Sequence, residues 1–262
     1  MYITDYALPI GVILFCGLDT LLTKSDQRRA LSRKWPLHGG VSLAGQLAMF
    51  LIPITGVSAA SAGAALGFEV GPAIRSYGWP AELVVWLLAL TLMTYVLHYA
   101  EHRFRLLWAF HRVHHCDEEM ESSTALRHHP LEAIYSVLGI AGIAFVLTPS
   151  LTTMLTAFLF TLTVDLFNHS RIQLPDGLST ALEWVIVTPR IHRVHHSDYA
   201  PQTDSNFGVT FTFWDRLFGT YRYEVPERIG LDDPALSGGH ARDFDKLIFE
   251  PFKFLWRSRK RN

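Results

Sequence analysis

Cysteine is scarce in this chain of 262 residues, which contains only Cys16 and Cys116. Two cysteines this far apart predict neither a disulfide framework nor a cysteine-based zinc site. Charge is also scarce, because Asp, Glu, Lys and Arg make up 18% of the residues and leave a net charge of −1. Without a basic surface to attract phosphate groups, no nucleic-acid partner is expected.

Hydrophobic residues dominate instead, at 49% of the chain, and they gather in long blocks typical of membrane proteins. The blocks cover residues 6–22, 35–68, 83–100 and 133–164. The first predicts a spanning or anchoring helix and not a cleavable signal peptide. The second contains no charged residue, and its Gly, Ala and Ser content suits close contact between helices in lipid.

The fourth block is divided by the sequence "TPS" at residues 148–150. This division predicts a hairpin of two helices, each with about 16 residues and a length of about 24 Å. Such helices are shorter than a hydrocarbon core of about 30 Å. We therefore expect the hairpin to be tilted, partly re-entrant or seated in a locally thinned membrane.

The loops between the blocks differ in basic residues, and this difference predicts the topology. The loop after the first block is the basic one, with Lys24, Arg28, Arg29, Arg33 and Lys34. The loop after the second block has only Glu69 and Arg75. The positive-inside rule places the first loop in the cytoplasm. Counting the crossings gives a multi-pass protein with its N-terminus outside and its histidine clusters and C-terminus in the cytoplasm.

The pentapeptide "HRVHH" occurs twice, at residues 111–115 and 192–196, and "HYAEH" begins at His98. Residues four apart on a helix share a face, about 6 Å from each other, so their imidazoles can reach one ion or two adjacent ions. His102 and His111 are nine residues apart, which places them on opposite faces of a straight helix. The chain must therefore bend or break within "RFRLLWAF".

The repeated histidine pattern predicts a metal site, because chance would give only about 0.03 HxxHH matches in a chain of this composition. The many imidazoles exceed the needs of one zinc ion, and imidazole also suits iron and copper, so two ions are predicted. Two ferrous ions with open positions could bind and split O2. His38 and His240 are isolated, and we assign them structural roles.

Polar groups that orient the imidazoles are expected nearby. The candidates are Glu101, Asp117, Asn168, Asp198, Asp204 and Asn206, each of which could equally be a helix cap or a turn residue. Asp215 could pair with an arginine beneath the site. Trp214, Phe211 and Phe218 are expected to be packed aromatic residues of a strand or a short helix.

A set of motifs in a fixed order extends over about residues 90–225. It reads "HYAEH", "HRVHH", "ALRHHPLE", "FNHS", "TPRIHRVHHS", "DSNFG" and "FWDRLFGTYR". This order resembles the fatty acid hydroxylase/sterol desaturase superfamily of integral-membrane di-iron enzymes. The resemblance implies an all-α fold, in which multi-pass transmembrane helices carry a cytosolic helical cap with a histidine-rich di-metal site. It also divides the chain into N-terminal transmembrane helices (1–80), a catalytic region (81–225) and a C-terminal cytosolic tail (226–262).

The resemblance implies a set of metal ligands. They are His98, His102, His111, His114, His115, His192, His195 and His196, completed by His129 and His169. Some family members have a second HxxxH motif before the last cluster, but here the residue four before His169 is Asp165. Either Asp165 or a water fills that place, or the number and geometry of the ions differ from those relatives.

The resemblance also implies an activity, the O2-dependent hydroxylation or desaturation of an unactivated C–H bond in a membrane lipid. Its cofactors would be two iron ions, and its electrons would come from an external reductase with a ferredoxin or cytochrome partner. Arg103, Arg105, Arg112 and Arg193 could dock that donor or could be positive-inside residues. A zinc-dependent membrane lipid hydrolase and a divalent-cation transporter remain alternatives.

Overall fold

The computed structural model describes residues 12–19, 21, 25–68 and 70–259, and the described chain is mainly helical. Its helices are α1 (Ser25–Phe50), α2 (Gly56–Ala65), α3 (Val70–Arg75), α4 (Trp79–Arg103), α5 (Arg105–His115), α6 (Pro130–Leu147), α7 (Leu151–His169), α8 (Asp176–Leu182), α9 (Pro189–His195), α10 (Ala200–Thr203), α11 (Phe213–Phe218) and α12 (Phe244–Arg259). Two short 3-10 helices cover Ser122–Leu126 and Gly238–Arg242. The described part contains no β-strand, so the all-α prediction is confirmed.

Three of the described helices, α4, α6 and α7, are long and apolar enough to cross a membrane. The third hydrophobic block is thus confirmed as a helix. The predicted anchor at residues 6–22 lies partly outside the described residues, and its described residues, 12–19 and 21, are helical. The charge-free block at 35–68 contributes to two helices, because the chain leaves the helical conformation after α1. Thr55 then caps the start of α2, where its Oγ1 accepts from Ser58 N at 3.1 Å.

The hairpin of α6 and α7 is confirmed, but the prediction that its helices are short was wrong. Thr148 ends α6 in the left-handed region, with φ of 44°. The Ser150 hydroxyl then caps α7 by accepting from Thr153 N at 3.3 Å. The helices have 18 and 19 residues because they continue beyond the apolar block to Pro130 and His169. At about 1.5 Å per residue, each nearly matches the hydrocarbon core.

The apolar core of the bundle lies where α2, α4, α6 and α7 meet. Small residues allow α2 to approach α6 closely, as the composition predicts. A Cβ atom at Gly63 would lie only 2.0 Å from the Phe145 carbonyl oxygen. At the opposite end of the bundle from the histidines, the buried Glu82 carboxylate accepts from Ser150 Oγ at 2.8 Å and from Thr153 Oγ1 at 2.7 Å. These bonds tie the start of α4 to the start of α7.

Residues 104–129 and 170–259 form a cap over the other end of α4, α6 and α7. The cap begins at the predicted break, where Phe104 has φ of −102° and ψ of 115° and separates α4 from α5. Leu236 and Leu247 of the cap pack with Val41 of α1 and Val113 of α5. The division of the chain at residues 80 and 225 stays a prediction.

Candidate metal centre

Nine of the ten predicted ligands lie together in two groups of buried histidines. The five-histidine group contains His98, His102, His111, His115 and His195, and the four-histidine group contains His114, His169, His192 and His196. Within each group, one nitrogen from every member lies within 4.8 Å of the others. Both copies of "HRVHH" contribute to both groups. The imidazole rings of His115 and His196 stack with 4.6 Å between their centroids, so the two groups are in direct contact.

Four helix ends bring these side chains together, and their positions follow from helical spacing. His98 and His102 lie one turn apart on the last part of α4, and His169 ends α7. The two pentapeptides end α5 and α9, whose C-terminal turns face each other. In each pentapeptide, the i and i+4 positions project side by side, while the i+3 position turns toward the other group.

Hydrogen bonds to oxygen fix three rings of the five-histidine group. His98 Nδ1 donates to the Phe207 carbonyl at 2.8 Å, and His195 Nδ1 donates to the Ser205 carbonyl at 2.8 Å. His102 Nδ1 lies 3.3 Å from Asp204 Oδ1. Donation from Nδ1 leaves a lone pair on Nε2, and these three Nε2 atoms are buried with no partner among the described residues. Buried acceptors without partners are costly, and a metal ion would satisfy them.

The spacing of other imidazole nitrogens also fits shared ions. His111 Nε2 lies 3.1 Å from His115 Nε2. In the four-histidine group, His169 Nε2 lies 3.1 Å from His114 Nε2 and 3.0 Å from His192 Nε2. Two nitrogens that each lie about 2.1 Å from one ion, at right angles or at a tetrahedral angle, are separated by about 3.0–3.4 Å. The residues therefore fit two adjacent metal ions.

Burial sets the charge of the grouped histidines. It holds the pKa of His114, His115, His192 and His196 well below the ordinary value, and neighbouring imidazoles lower these pKa values further. Burial likewise lowers the pKa of His195 to about 3. These rings are neutral at physiological pH. Neutral imidazole is the form that binds a metal ion.

A carboxylate network that sequence reasoning missed supports the five-histidine group. Glu132 Oε1 accepts from His111 Nδ1 at 2.7 Å and from His128 Nδ1 at 2.8 Å. Burial opposes a positive charge on His128, but Glu132 outweighs it and raises the pKa of His128 to about 9. The His128 ring stacks on the ring of His114 at 4.5 Å. The spacing of His128 and Glu132, four apart in "HHPLE", was the available signal.

His129 is the predicted ligand that the structure places elsewhere. Its Nδ1 accepts from Leu131 N at 3.1 Å and caps α6, while its Nε2 lies 3.1 Å from the Ile248 carbonyl. Both ring nitrogens are therefore engaged away from the two groups. The extended backbone at this position turns His129 toward α12 and leaves its neighbour His128 on the side of the metal centre.

Of the six predicted orienting residues, Glu101 and Asp204 contact histidines of the five-histidine group. Glu101 Oε2 lies 3.4 Å from His111 Nδ1. The other four make different contacts: Asp117 pairs with Lys34, Asn168 donates to the Val209 carbonyl, Asp198 pairs with Arg228, and Asn206 donates to the Arg222 carbonyl. They hold the surrounding loops and do not touch the rings.

Two aspartates near the histidine groups hold other groups in place. Asp165 does not enter either group. His169 Nδ1 donates to the Asp165 carbonyl at 2.8 Å and lies 3.2 Å from Asp165 Oδ1, so this residue orients His169. Asp215 accepts from Phe207 N at 2.7 Å and from Gly208 N at 2.8 Å instead of from an arginine. It thereby fixes the loop whose Phe207 carbonyl orients His98.

The arginines expected to dock an electron donor are not equally available. Arg112 is buried and pairs with Asp233. Arg193 donates to the Ser170 carbonyl at 3.0 Å. Arg112 is therefore structural, and the docking expectation for it was wrong, whereas the docking expectation for the partly buried Arg193 stays a prediction. Arg103 pairs with Asp204 at 3.7 Å with its side chain 46% exposed.

The fold and the site define a helical membrane protein with two adjacent histidine groups that fit metal ions. The family model of fatty acid hydroxylase matches residues 83–220, which include all nine grouped histidines. The chain therefore belongs to the fatty acid hydroxylase family.

Several curated proteins are similar to this chain. An alkylglycerol monooxygenase of Xenopus tropicalis is 33% identical over 181 residues, which are 67% of this chain and 36% of the relative. The ornithine lipid hydroxylase OlsE of Rhizobium tropici is 27% identical over 177 residues, 66% of this chain and 52% of the relative. Methylsterol monooxygenase 1 of Danio rerio is 31% identical over 128 residues, 48% of this chain and 42% of the relative.

The chain thus spans about half or less of the length of these relatives. No solved structure matches it.

Proposed function

We propose that this chain is a membrane-bound di-iron oxygenase that uses O2 to hydroxylate an unactivated C–H bond of a lipid. The observation that carries the proposal is the pair of adjacent, buried, all-histidine groups at the ends of apolar helices. Hydroxylation is favoured over desaturation because the three similar proteins are named for oxygen insertion into lipids. Neither the hydrolase nor the transporter alternative gains support from those relatives.

Hydroxylation inserts one oxygen atom of O2 into the C–H bond and reduces the other to water, which consumes two electrons and two protons. Bound iron would supply the activation of O2. The chain would hold one ion with the five-histidine group and the other with the four-histidine group. The Phe207 and Ser205 carbonyls and Glu132 would keep the rings in their ligating orientation. Burial of the rings would exclude water from the reacting centre.

The electrons would come from an external donor protein, of the ferredoxin or cytochrome type. His102 of the five-histidine group and Trp108 line a cleft of about 370 Å³ in the cap, whose other lining residues belong to the cap. We propose that the donor approaches there. We further propose that the cap lies in the cytoplasm and the N-terminus outside, with residues 81–225 as the catalytic region, as the positive-inside rule and the family resemblance predict.

Metal analysis and oxygen labelling test this function. The full chain, purified with its metals, is expected to contain two iron ions and to incorporate one atom of 18O2 into a membrane lipid when a reductant is supplied. His192→Ala is expected to lose iron and product. His240→Ala removes a half-exposed histidine outside both groups and is the matched control. One zinc ion with lipid cleavage independent of O2 would support a hydrolase, and metal flux into vesicles without lipid oxidation would support a transporter.

A further inference from the structure

The last helix of the described chain, α12 (Phe244–Arg259), lies beyond the residues that the family model matches. One face of this helix is packed against the rest of the molecule. Leu247 is fully buried and packs with Val41 of α1 and Val113 of α5. These contacts fix which side of α12 faces outward.

The outward side of α12 carries aromatic residues. Phe249, Phe252 and Trp256 are 58%, 46% and 63% exposed. Their spacings of three and four residues place them along one stripe of the helix surface. Large apolar side chains that are exposed together in this way indicate a surface that contacts a membrane or another molecule.

Basic residues run beside the aromatic stripe. Lys253 and Arg257 lie one turn apart, next to the stripe, with side chains that are 57% and 62% exposed. The carboxylate that they share, Glu250, is buried. Residues 244–262 contain six basic residues and only two acidic ones, although the whole chain has a net charge of −1. The other acidic residue, Asp245, lies in the first turn, before the stripe begins.

α12 crosses the bundle where its apolar helices enter the cap. His129 caps the start of α6, and its Nε2 lies 3.1 Å from the Ile248 carbonyl of α12. The rings of His129 and Phe252 lie 5.8 Å apart. Because α6 nearly matches the hydrocarbon core in length, its first residues are expected at the border between acyl chains and head groups. α12 lies at the same level.

The two kinds of side chain on α12 match the two layers of this border. Exposed aromatic residues favour the boundary between head groups and acyl chains, and lysine and arginine favour anionic head groups. The cytoplasmic leaflet, which the cap is proposed to face, is rich in anionic lipid. Charge complementarity therefore favours a lipid surface as the occupant of this face.

We infer that α12 lies in the surface of the bilayer, with its aromatic stripe among the upper acyl chains and with Lys253 and Arg257 against the phosphates of anionic phospholipid. The inference goes beyond the proposed function, because it concerns neither the metal ions nor the reaction. Since α12 also packs on α1 and α5, its contact with lipid would hold the cap against the membrane helices.

Fluorescence quenching tests the inference on the full chain, with its metals, in phosphatidylcholine vesicles that contain a minor fraction of phosphatidylglycerol. Cys16 and Cys116 are buried, so a fluorescent label reacts with a single introduced cysteine. Labels on Phe249→Cys and Trp256→Cys are expected to be quenched by a lipid that carries a nitroxide near the top of its acyl chain and to be protected from aqueous iodide. Glu227→Cys, at an exposed position of the cap outside α12, is the matched control and should be quenched by iodide.

The head group of the quenching lipid tests the basic residues. With the label at residue 249, nitroxide-labelled phosphatidylglycerol is expected to quench more than nitroxide-labelled phosphatidylcholine at the same concentration. Lys253→Gln should lower this preference about fivefold, because it removes one attraction to the phosphates. Arg257 remains to pair with Glu250 in this variant. Arg228→Gln removes an exposed basic side chain that is likewise paired with a carboxylate, and it is the matched control.

Iodide quenching at residues 249 and 256 as strong as at residue 227 would place the stripe in water and overturn the inference. Self-quenching between labels on different copies of the chain would assign the stripe to a protein contact and overturn it as well. An equal preference for phosphatidylglycerol in Lys253→Gln and Arg228→Gln would overturn the role given to charge. None of these measurements depends on O2 or turnover, so their outcome is separate from that of the proposed function.

Discussion

Glu132 places one carboxylate oxygen between two imidazoles, and only His111 of the two belongs to the five-histidine or the four-histidine group. Carboxylates in this position raise the basicity of a ligand histidine and fix its ring. Glu132→Gln keeps the shape but removes the charge, so we expect metal affinity to fall about 10–100-fold. Competition with a chelator measures this affinity. Glu227→Gln, at an exposed position, is the control, and equal affinity in both variants would contradict the role given to Glu132.

His129 allows a separate test, because its two ring nitrogens are engaged by the backbone of Leu131 and Ile248. We expect His129→Ala to lower the free energy of unfolding by about 1 kcal/mol through loss of the α6 cap. Its metal content should equal that of the unmodified chain. Loss of a metal ion in this variant would return His129 to the ligand set.

Residue spacing could predict which histidines share a helix face, but it could not predict their hydrogen-bond partners. The spacing of His98 and His102 on one helix, and the break before His111, follow from helical geometry alone. The Phe207 and Ser205 carbonyls, which orient His98 and His195, lie 109 and 10 residues along the chain from these histidines, and every residue has a carbonyl. Whether His128 or His129 faces the histidine groups depends on the backbone conformation at the α6 cap. The sequence "HHP" does not determine that conformation.

Glu183 joins three elements around the second pentapeptide. Its carboxylate accepts from Ser179 of α8 at 2.9 Å, from Thr188 at 2.8 Å and from Arg190 of α9 at 2.8 Å. Burial opposes its charge, but these donors prevail and lower the pKa of Glu183 below its ordinary value of 4.5. The carboxylate therefore stabilises the fold fully above about pH 4.5, and this contribution is lost as the pH falls through the lower folded pKa.

Glu183→Gln should consequently reduce the acid sensitivity of the protein, as well as its stability at neutral pH. Unfolding measured from neutral pH down to well below pH 4.5 is expected to show a smaller change for the variant than for the unmodified chain. Parallel pH dependence of the two proteins would show that Glu183 has no net role. Asp176→Asn, at a fully exposed carboxylate near the same arginine, serves as the comparison.

The contact between α2 and α6 depends on Gly63. A Cβ atom at this position would lie 2.0 Å from the Phe145 carbonyl oxygen, which is backbone and cannot move independently. We expect Gly63→Ala to destabilise the protein by about 1–3 kcal/mol or more. Gly142→Ala meets nothing within 4 Å and should be neutral or slightly stabilising. Thermal unfolding in detergent measures both, and equal stability would contradict the close approach.

The helices themselves were predicted more accurately than their lengths. The hydrophobic blocks locate α4, α6 and α7, and "TPS" locates the turn. The blocks end where polar residues begin, however, whereas α7 continues to His169 because its last turn is buried beneath the cap. Hydrophobicity reports contact with lipid and does not report where the helical hydrogen bonds end.

At the scale of the whole molecule, the metal ions would connect four helix ends that no short stretch of chain joins. Removal of the metals by a strong chelator is expected to lower the melting temperature and to expose the cap to proteases. A ligand whose free concentration is about a thousand times its dissociation constant stabilises a fold by about 4 kcal/mol. Calorimetry before and after chelation measures the effect, and restoration by Fe(II) is the control. An unchanged melting temperature would contradict a role for the ions in holding the cap.

The interleaving of the two pentapeptides has one more consequence. Since α5 and α9 each send side chains to both histidine groups, displacement of either helix end would open both sites together. Iron loading should then behave as one cooperative event, with individual molecules either empty or doubly filled and singly filled ones rare. Repetition of "HRVHH" would in this way keep rare a protein that holds only one iron ion, which could react with O2 without hydroxylating a lipid.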